Sequence, residues 1–136
     1  MTDKTPYKLE VAAPIFPVTD VRRAIAYYTM SLMFEIGFEW SDSDSEPVRY
    51  AVLQSGNTEL HLTETEAPRE TIAYFFVDGV QMYYEEVRRH GAQITREIED
   101  HPWEMREFEV ADPDGNLIVF GEHLSRLKPV ADANLA

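Results

Sequence analysis

The segment ADPDGNLIVFGEH, Ala111 to His123, decides the reading of this chain. Asp112-Pro113-Asp114-Gly115 is a tight-turn signal. Proline presets one backbone angle, the acidic side chains close local hydrogen bonds, and glycine accepts a left-handed backbone. An apolar strand, Leu117 to Phe120, follows at once. The same order of turn and strand occurs earlier, where Ser55-Gly56-Asn57 leads into TELHLTE, Thr58 to Glu64. A shift of about 59 positions lays Gly56-Asn57 on Gly115-Asn116 and Val18-Thr-Asp-Val21 on Val77-Asp-Gly-Val80. The chain therefore reads as an internal duplication of one βαβββ unit.

Each copy can be followed outward from its turn. In the first, residues 9–18 read as an extended strand whose Pro14 and Pro17 limit its pairing. Asp20 is an N-cap candidate, and Val21, Ala24, Ile25, Tyr28 and Leu32 recur at helical spacing on one face. Strands are predicted near 34–41, 48–55 and 58–64, with the acidic link SDSDSEP (41–47) as a solvated turn. In the second copy, TIAYFFV (71–77) is a β-branched and aromatic strand. Asp78 and Gly79 offer an N-cap with Gln81 as its capping-box partner. Val80, Tyr83, Tyr84 and Val87 form the helical stripe, Arg88, Arg89 and His90 occupy its last turn, and Gly91 closes it. Strands are predicted near 92–99, 104–111 and 116–122. The fold class is α+β: two tandem modules, about 9–65 and 70–123, in a single domain spanning 1–136. The tail 124–136 is expected to fray beyond Leu127.

Several strands are apolar on both faces. In TIAYFFV, Ile72, Tyr74 and Phe76 point one way while Ala73, Phe75 and Val77 point the other. Two helices can cover only one face of eight strands. The other must close on itself, on a partner chain or around a ligand.

Composition narrows the function. A net charge of −13 disfavours nucleic acid and anionic membrane and mildly favours cationic guests. No apolar run approaches the roughly 18 residues of a membrane helix. The N-terminal MTDKTPYKLE is too polar for a secretory signal. The absence of cysteine excludes disulfides, thiolate zinc sites and a cysteine nucleophile. The cytoplasm is the default location.

The runs APIFPVTDVRRAIAYYTMSLMFE, YAVLQSGNTELHL and PWEMREFEVADPDGNLIVFGE together resemble the glyoxalase / bleomycin resistance / extradiol dioxygenase superfamily, the vicinal oxygen chelate proteins. The resemblance spans about residues 9–123 and leans toward the bleomycin-resistance-like branch. It implies paired βαβββ modules whose mostly antiparallel strands curve around a cavity. It also implies a homodimer with pockets at or near the interface, and the broken first strand is compatible with an exchange of that strand between chains. Metal-using members carry up to four ligands, and these positions fall here on Ala13, His61, Ile72 and Val119. Only His61 can ligate. One imidazole does not hold a divalent cation, because stable sites need about three protein ligands. No metal and no cofactor are therefore expected. Met33 stands where the family usually has glycine after the first helix, so that helix is expected to end differently.

The site candidates are aromatic and polar. His61 alternates with Leu60 and Leu62, and on the face opposite those leucines it reads either as a cavity-lining hydrogen-bonding group or as an ordinary satisfied histidine. Trp40, Tyr50, Tyr74 and Trp103 could wall a pocket for a flat or cationic guest, and they could equally be core. Arg106 could bind a ligand carboxylate; a surface pair with an acid is the favoured reading. No nucleophile–base constellation and no glycine-rich phosphate loop is present. The leading expectation is a small-molecule binding protein that sequesters without metal and without chemistry. The alternative is a metal-dependent glyoxalase, lyase or dioxygenase of the same superfamily. A third reading is a domain used only for dimeric assembly.

Overall fold

The computed structural model describes residues 6–127. The first module runs β1 (Ile15–Val18), α1 (Val21–Met30), β2 (Glu35–Ser41), β3 (Val48–Ser55) and β4 (Thr58–Glu64). The second repeats it as β5 (Ile72–Phe76), α2 (Val80–Arg89), β6 (Gln93–Asp100), β7 (Met105–Ala111) and β8 (Leu117–His123), followed by a 3₁₀ turn at Leu124–Arg126. The strands form two four-stranded sheets, ordered β1-β4-β3-β2 and β5-β8-β7-β6. Each sheet has one parallel pair, β1 with β4 and β5 with β8, and is antiparallel elsewhere. The duplication read from the sequence is thus a duplication of topology.

The helices cover one side of the strands. Val21, Ala24 and Tyr28 of α1, and Val80, Tyr84 and Val87 of α2, are buried against Leu53, Leu60, Leu62, Phe108, Val110 and Ile118. Each such aliphatic side chain contributes about 1.5–3 kcal/mol on full burial. The DPDG turn joins the two modules. Tyr28 donates to Asp112 Oδ2 at 2.9 Å, and Tyr27 donates to the Ala111 carbonyl at 2.7 Å. Asn116 Nδ2 donates to the Pro17 carbonyl, and Thr19 donates to Asp114 Oδ1 through both its backbone N–H and its hydroxyl. From the other side, Tyr83 donates to the Leu32 carbonyl at 2.7 Å.

Two sequence expectations are corrected. The first strand is not 9–18: only Ile15–Val18 is strand, although His61 N still donates to the Pro14 carbonyl. Pro14 has no N–H to return to the ladder. The capping box of α2 is absent, because Gly79 is the N-cap with φ +94° and offers no side chain. Glu122 of β8 reaches across instead and accepts from Gly79 N and Val80 N at 3.1 and 3.0 Å. Glu64 of β4 does the same for Val21 N in the first module, beside the Asp20 cap on Arg23 N. The first helix does end differently: its left-handed residue, Met33 at φ +65°, comes three positions past the end of α1, whereas Gly91 at φ +86° comes two past the end of α2. The expected fraying after Leu127 lies outside the described residues.

Candidate functional site

The strand faces away from the helices are open and aromatic. On the first sheet, β2 presents Phe38 and Trp40, with Trp40 46% exposed. Trp40 pairs with Tyr50 of β3, and Tyr50 with Thr63 of β4. These residues, with Arg49 and Glu64, line a cleft of about 440 Å³. Arg49 is tied to Asp42 at 2.9 Å, which anchors the acidic link to the cleft rim. On the second sheet, Ile72, Tyr74 and Phe76 lie along one face of β5, and Phe76 is 76% exposed. Trp103, in the turn before β7, is 57% exposed.

His61 is held from both ring nitrogens. Its Nε2 lies 3.2 Å from Glu59 Oε1 and its Nδ1 lies 2.6 Å from the Tyr50 hydroxyl. A carboxylate can only accept, so Nε2–H donates to Glu59. In the neutral ring Nδ1 is then an acceptor, and Tyr50 donates to it. The Tyr50 oxygen is left with lone pairs for any guest in the cleft.

The second sheet carries its own polar group. Glu107 of β7 is only 4% exposed and its Oε2 accepts from Tyr74 at 2.7 Å and from Trp103 Nε1 at 3.0 Å. Burial, followed by the bond to Glu107, raises the Tyr74 pKa above the ordinary tyrosine value, so it stays a donor. His101 stacks on Trp103 with ring centroids 4.4 Å apart and planes 15° from parallel. Tyr74 reaches Glu107 by lying across Gly121, where a Cβ would collide with the Tyr74 hydroxyl.

The sequence candidates therefore fall into two groups. Trp40, Tyr50 and His61 belong to the first sheet, and Tyr74 and Trp103 to the second. Arg106 belongs to neither: its Nε and Nη2 donate to Asp100 Oδ1 and Oδ2 at 2.7 and 3.2 Å. That is the surface pair. Two residues were missed. Phe38 stands two residues before Trp40 on β2, so period-two spacing could have found it. Glu107 stands one residue from Arg106, and the same alternation turns it to the opposite face.

The metal positions were tested by their chemistry. Ala13, Ile72 and Val119 offer no donor, and His61 spends both nitrogens on Tyr50 and Glu59. Among the described residues, no group of three or more His, Asp or Glu side chains is arranged to hold a metal ion. This donor set does not fit the family's metal.

Residues 10–120 match the family described as the Glyoxalase/Bleomycin resistance protein/Dioxygenase superfamily. The chain belongs to that superfamily. It is 26% identical over 132 residues to a bleomycin resistance protein of Geobacillus stearothermophilus, covering 82% of this chain and 95% of that one. The structure is similar to a bleomycin-binding protein from Streptomyces verticillus complexed with copper(II)-bleomycin. There the TM-score is 0.69 and the identity 26%, with 84% of this chain and 96% of the other covered. TioX from Micromonospora sp. ML1 shares the fold, with a TM-score of 0.73 at 22% identity, over 82% of this chain and 97% of TioX. Among the described residues, no helix is long and apolar enough to cross a membrane.

Proposed function

We propose that this protein binds a flat, bleomycin-type small molecule without metal and acts by sequestering it. One observation carries the reading: both sheets leave a row of aromatic side chains open on the faces their helices do not cover. Isolated exposed hydrophobics are ordinary, but contiguous apolar faces mark ligand or partner surfaces. Similarity to bleomycin resistance and bleomycin-binding proteins supports the ligand class. The open faces also support a homodimer in which partner chains cover them and the ligand sits where they meet.

The test is titration with metal-free bleomycin, followed by tryptophan fluorescence and thermal melting. Trp40 and Trp103 are the only tryptophans and both lie on open faces. Saturable quenching with a raised melting temperature is expected, along with a dimer by sedimentation at tens of micromolar. Unchanged fluorescence and melting at high micromolar bleomycin would refute the ligand class.

A further inference from the structure

Three acidic residues, Glu107, Asp112 and Glu122, are buried in the described chain. Two of them are spent on the fold. Glu122 caps α2 through Gly79 N and Val80 N, where the helix dipole favours a negative charge. Asp112 accepts from Asp114 N, Asn116 N, Asn116 Nδ2 and Tyr28. Glu107 differs. Its donors, Tyr74 and Trp103, are both neutral and both bond Oε2. Among the described residues Oε1 accepts no hydrogen bond; the nearest basic group is His101 Nε2 at 3.7 Å, within ion-pair reach only when that ring is protonated. Nearby arginines are engaged elsewhere, Arg106 with Asp100 and Arg96 with Glu109.

Glu107 thus has two bonds on one oxygen and none on the other, and it stands on an open face between two aromatic rings. The arrangement is also sterically specific. At Gly121 a Cβ would collide with the Tyr74 hydroxyl and come within 3.1 Å of Glu107 Cγ, so the absence of a side chain there is what lets Tyr74 lie over β8. Aromatic faces attract cations and a carboxylate oxygen accepts from N–H.

We infer that Glu107, walled by Tyr74 and Trp103, is a subsite for a protonated amine, whose N–H bonds Oε1 while its carbon frame lies against the rings. The inference rests on the reading that this face binds ligand, and it adds the charge class of the guest.

The experiment compares phenethylamine, protonated at pH 7, with the neutral 2-phenylethanol on the full chain. The readout is the indole N–H signal of Trp103 in the nitrogen–proton correlation spectrum, separated from that of Trp40 by Trp40→Phe. Phenethylamine should shift that signal saturably and bind at least tenfold more tightly than the alcohol. Glu107→Gln should bring the two within twofold of each other. Tyr74→Phe removes a competing donor but keeps the ring, and it should retain the preference; this second variant serves if Glu107→Gln does not fold. Equal binding of the two probes, a preference surviving Glu107→Gln, or its loss in Tyr74→Phe would each overturn the subsite. Bleomycin bound equally by wild type and Glu107→Gln would also overturn it while leaving the proposed function standing. A bleomycin that does not bind, beside an intact preference for the amine, would refute only the ligand assignment.

Discussion

Replacing Tyr28 with phenylalanine should measure how strongly the DPDG turn joins the two modules. Tyr28 is fully buried on α1, and its hydroxyl donates to Asp112 Oδ2 at 2.9 Å. Burial first, then the Asp112 charge, raises the phenol's pKa well above the ordinary tyrosine value, so the group is a donor at every practical pH. Hydrogen bonds to charged acceptors contribute about 1.5–3 kcal/mol net. Asp112 keeps Asp114 N, Asn116 N and Asn116 Nδ2, so the carboxylate is not stripped of partners. The loss should therefore fall near the low end of that range, about 1.5–2 kcal/mol. The ring packing against Tyr27 and Phe34 is retained in phenylalanine. Urea denaturation followed by far-ultraviolet circular dichroism is the assay. A lower midpoint with an unchanged slope is expected, because the modules share one core and unfold together. In a double-mutant cycle with Asp112→Asn, a coupling of at least about 1 kcal/mol is expected. A loss below about 0.5 kcal/mol, the size of an ordinary surface change, would refute the role assigned to this contact.

Two further outcomes follow from local geometry. Met33→Gly should stabilise the protein by about 0.5 kcal/mol in the same assay: left-handed strain of about 1–2 kcal/mol is relieved, and glycine's extra unfolded-state entropy takes back about 0.5–1. A destabilised variant would show that the Met33 side chain packs for more than its backbone costs. Asp100→Asn should cost about 0.2–1 kcal/mol at pH 7, the range for an exposed pair, and less near pH 2. Its hydrogen bond from Arg106, with the guanidinium charge, lowers the Asp100 pKa. The stabilisation is therefore complete above the ordinary aspartate value of about 3.9 and fades as pH falls through the depressed one. Melts at both pH values check the sign, and an equal cost at each would contradict it.

The outcome of the sequence reading varied with the range of the interactions. β3 and β4 end where predicted, at 48–55 and 58–64, because Ser55-Gly56-Asn57 is a local turn with Gly56 at φ +58°. The helix stripes were legible for the same reason: 3.6-residue periodicity is written in neighbouring residues. The missed cap depends on a distant strand. The cap on α2 comes from Glu122, more than forty positions along the chain. Met33 takes the backbone of a glycine because Phe34 N must still reach the Tyr28 carbonyl and close the helix. No residue preference near position 33 announces that.

The site follows the same logic and shows what duplication can build. Tyr50 pairs across the ladder with Thr63, and Glu107 pairs in the corresponding place with Gly121. The two modules thus put a phenol and a carboxylate at matched positions of one repeated frame. At the phenol position the strand partner keeps a side chain, and Tyr50 turns to His61 on the same sheet. At the carboxylate position the partner is glycine, and the space it leaves admits Tyr74 from the next strand. Where metal-using relatives place ligands, this chain has Ala13, Ile72 and Val119.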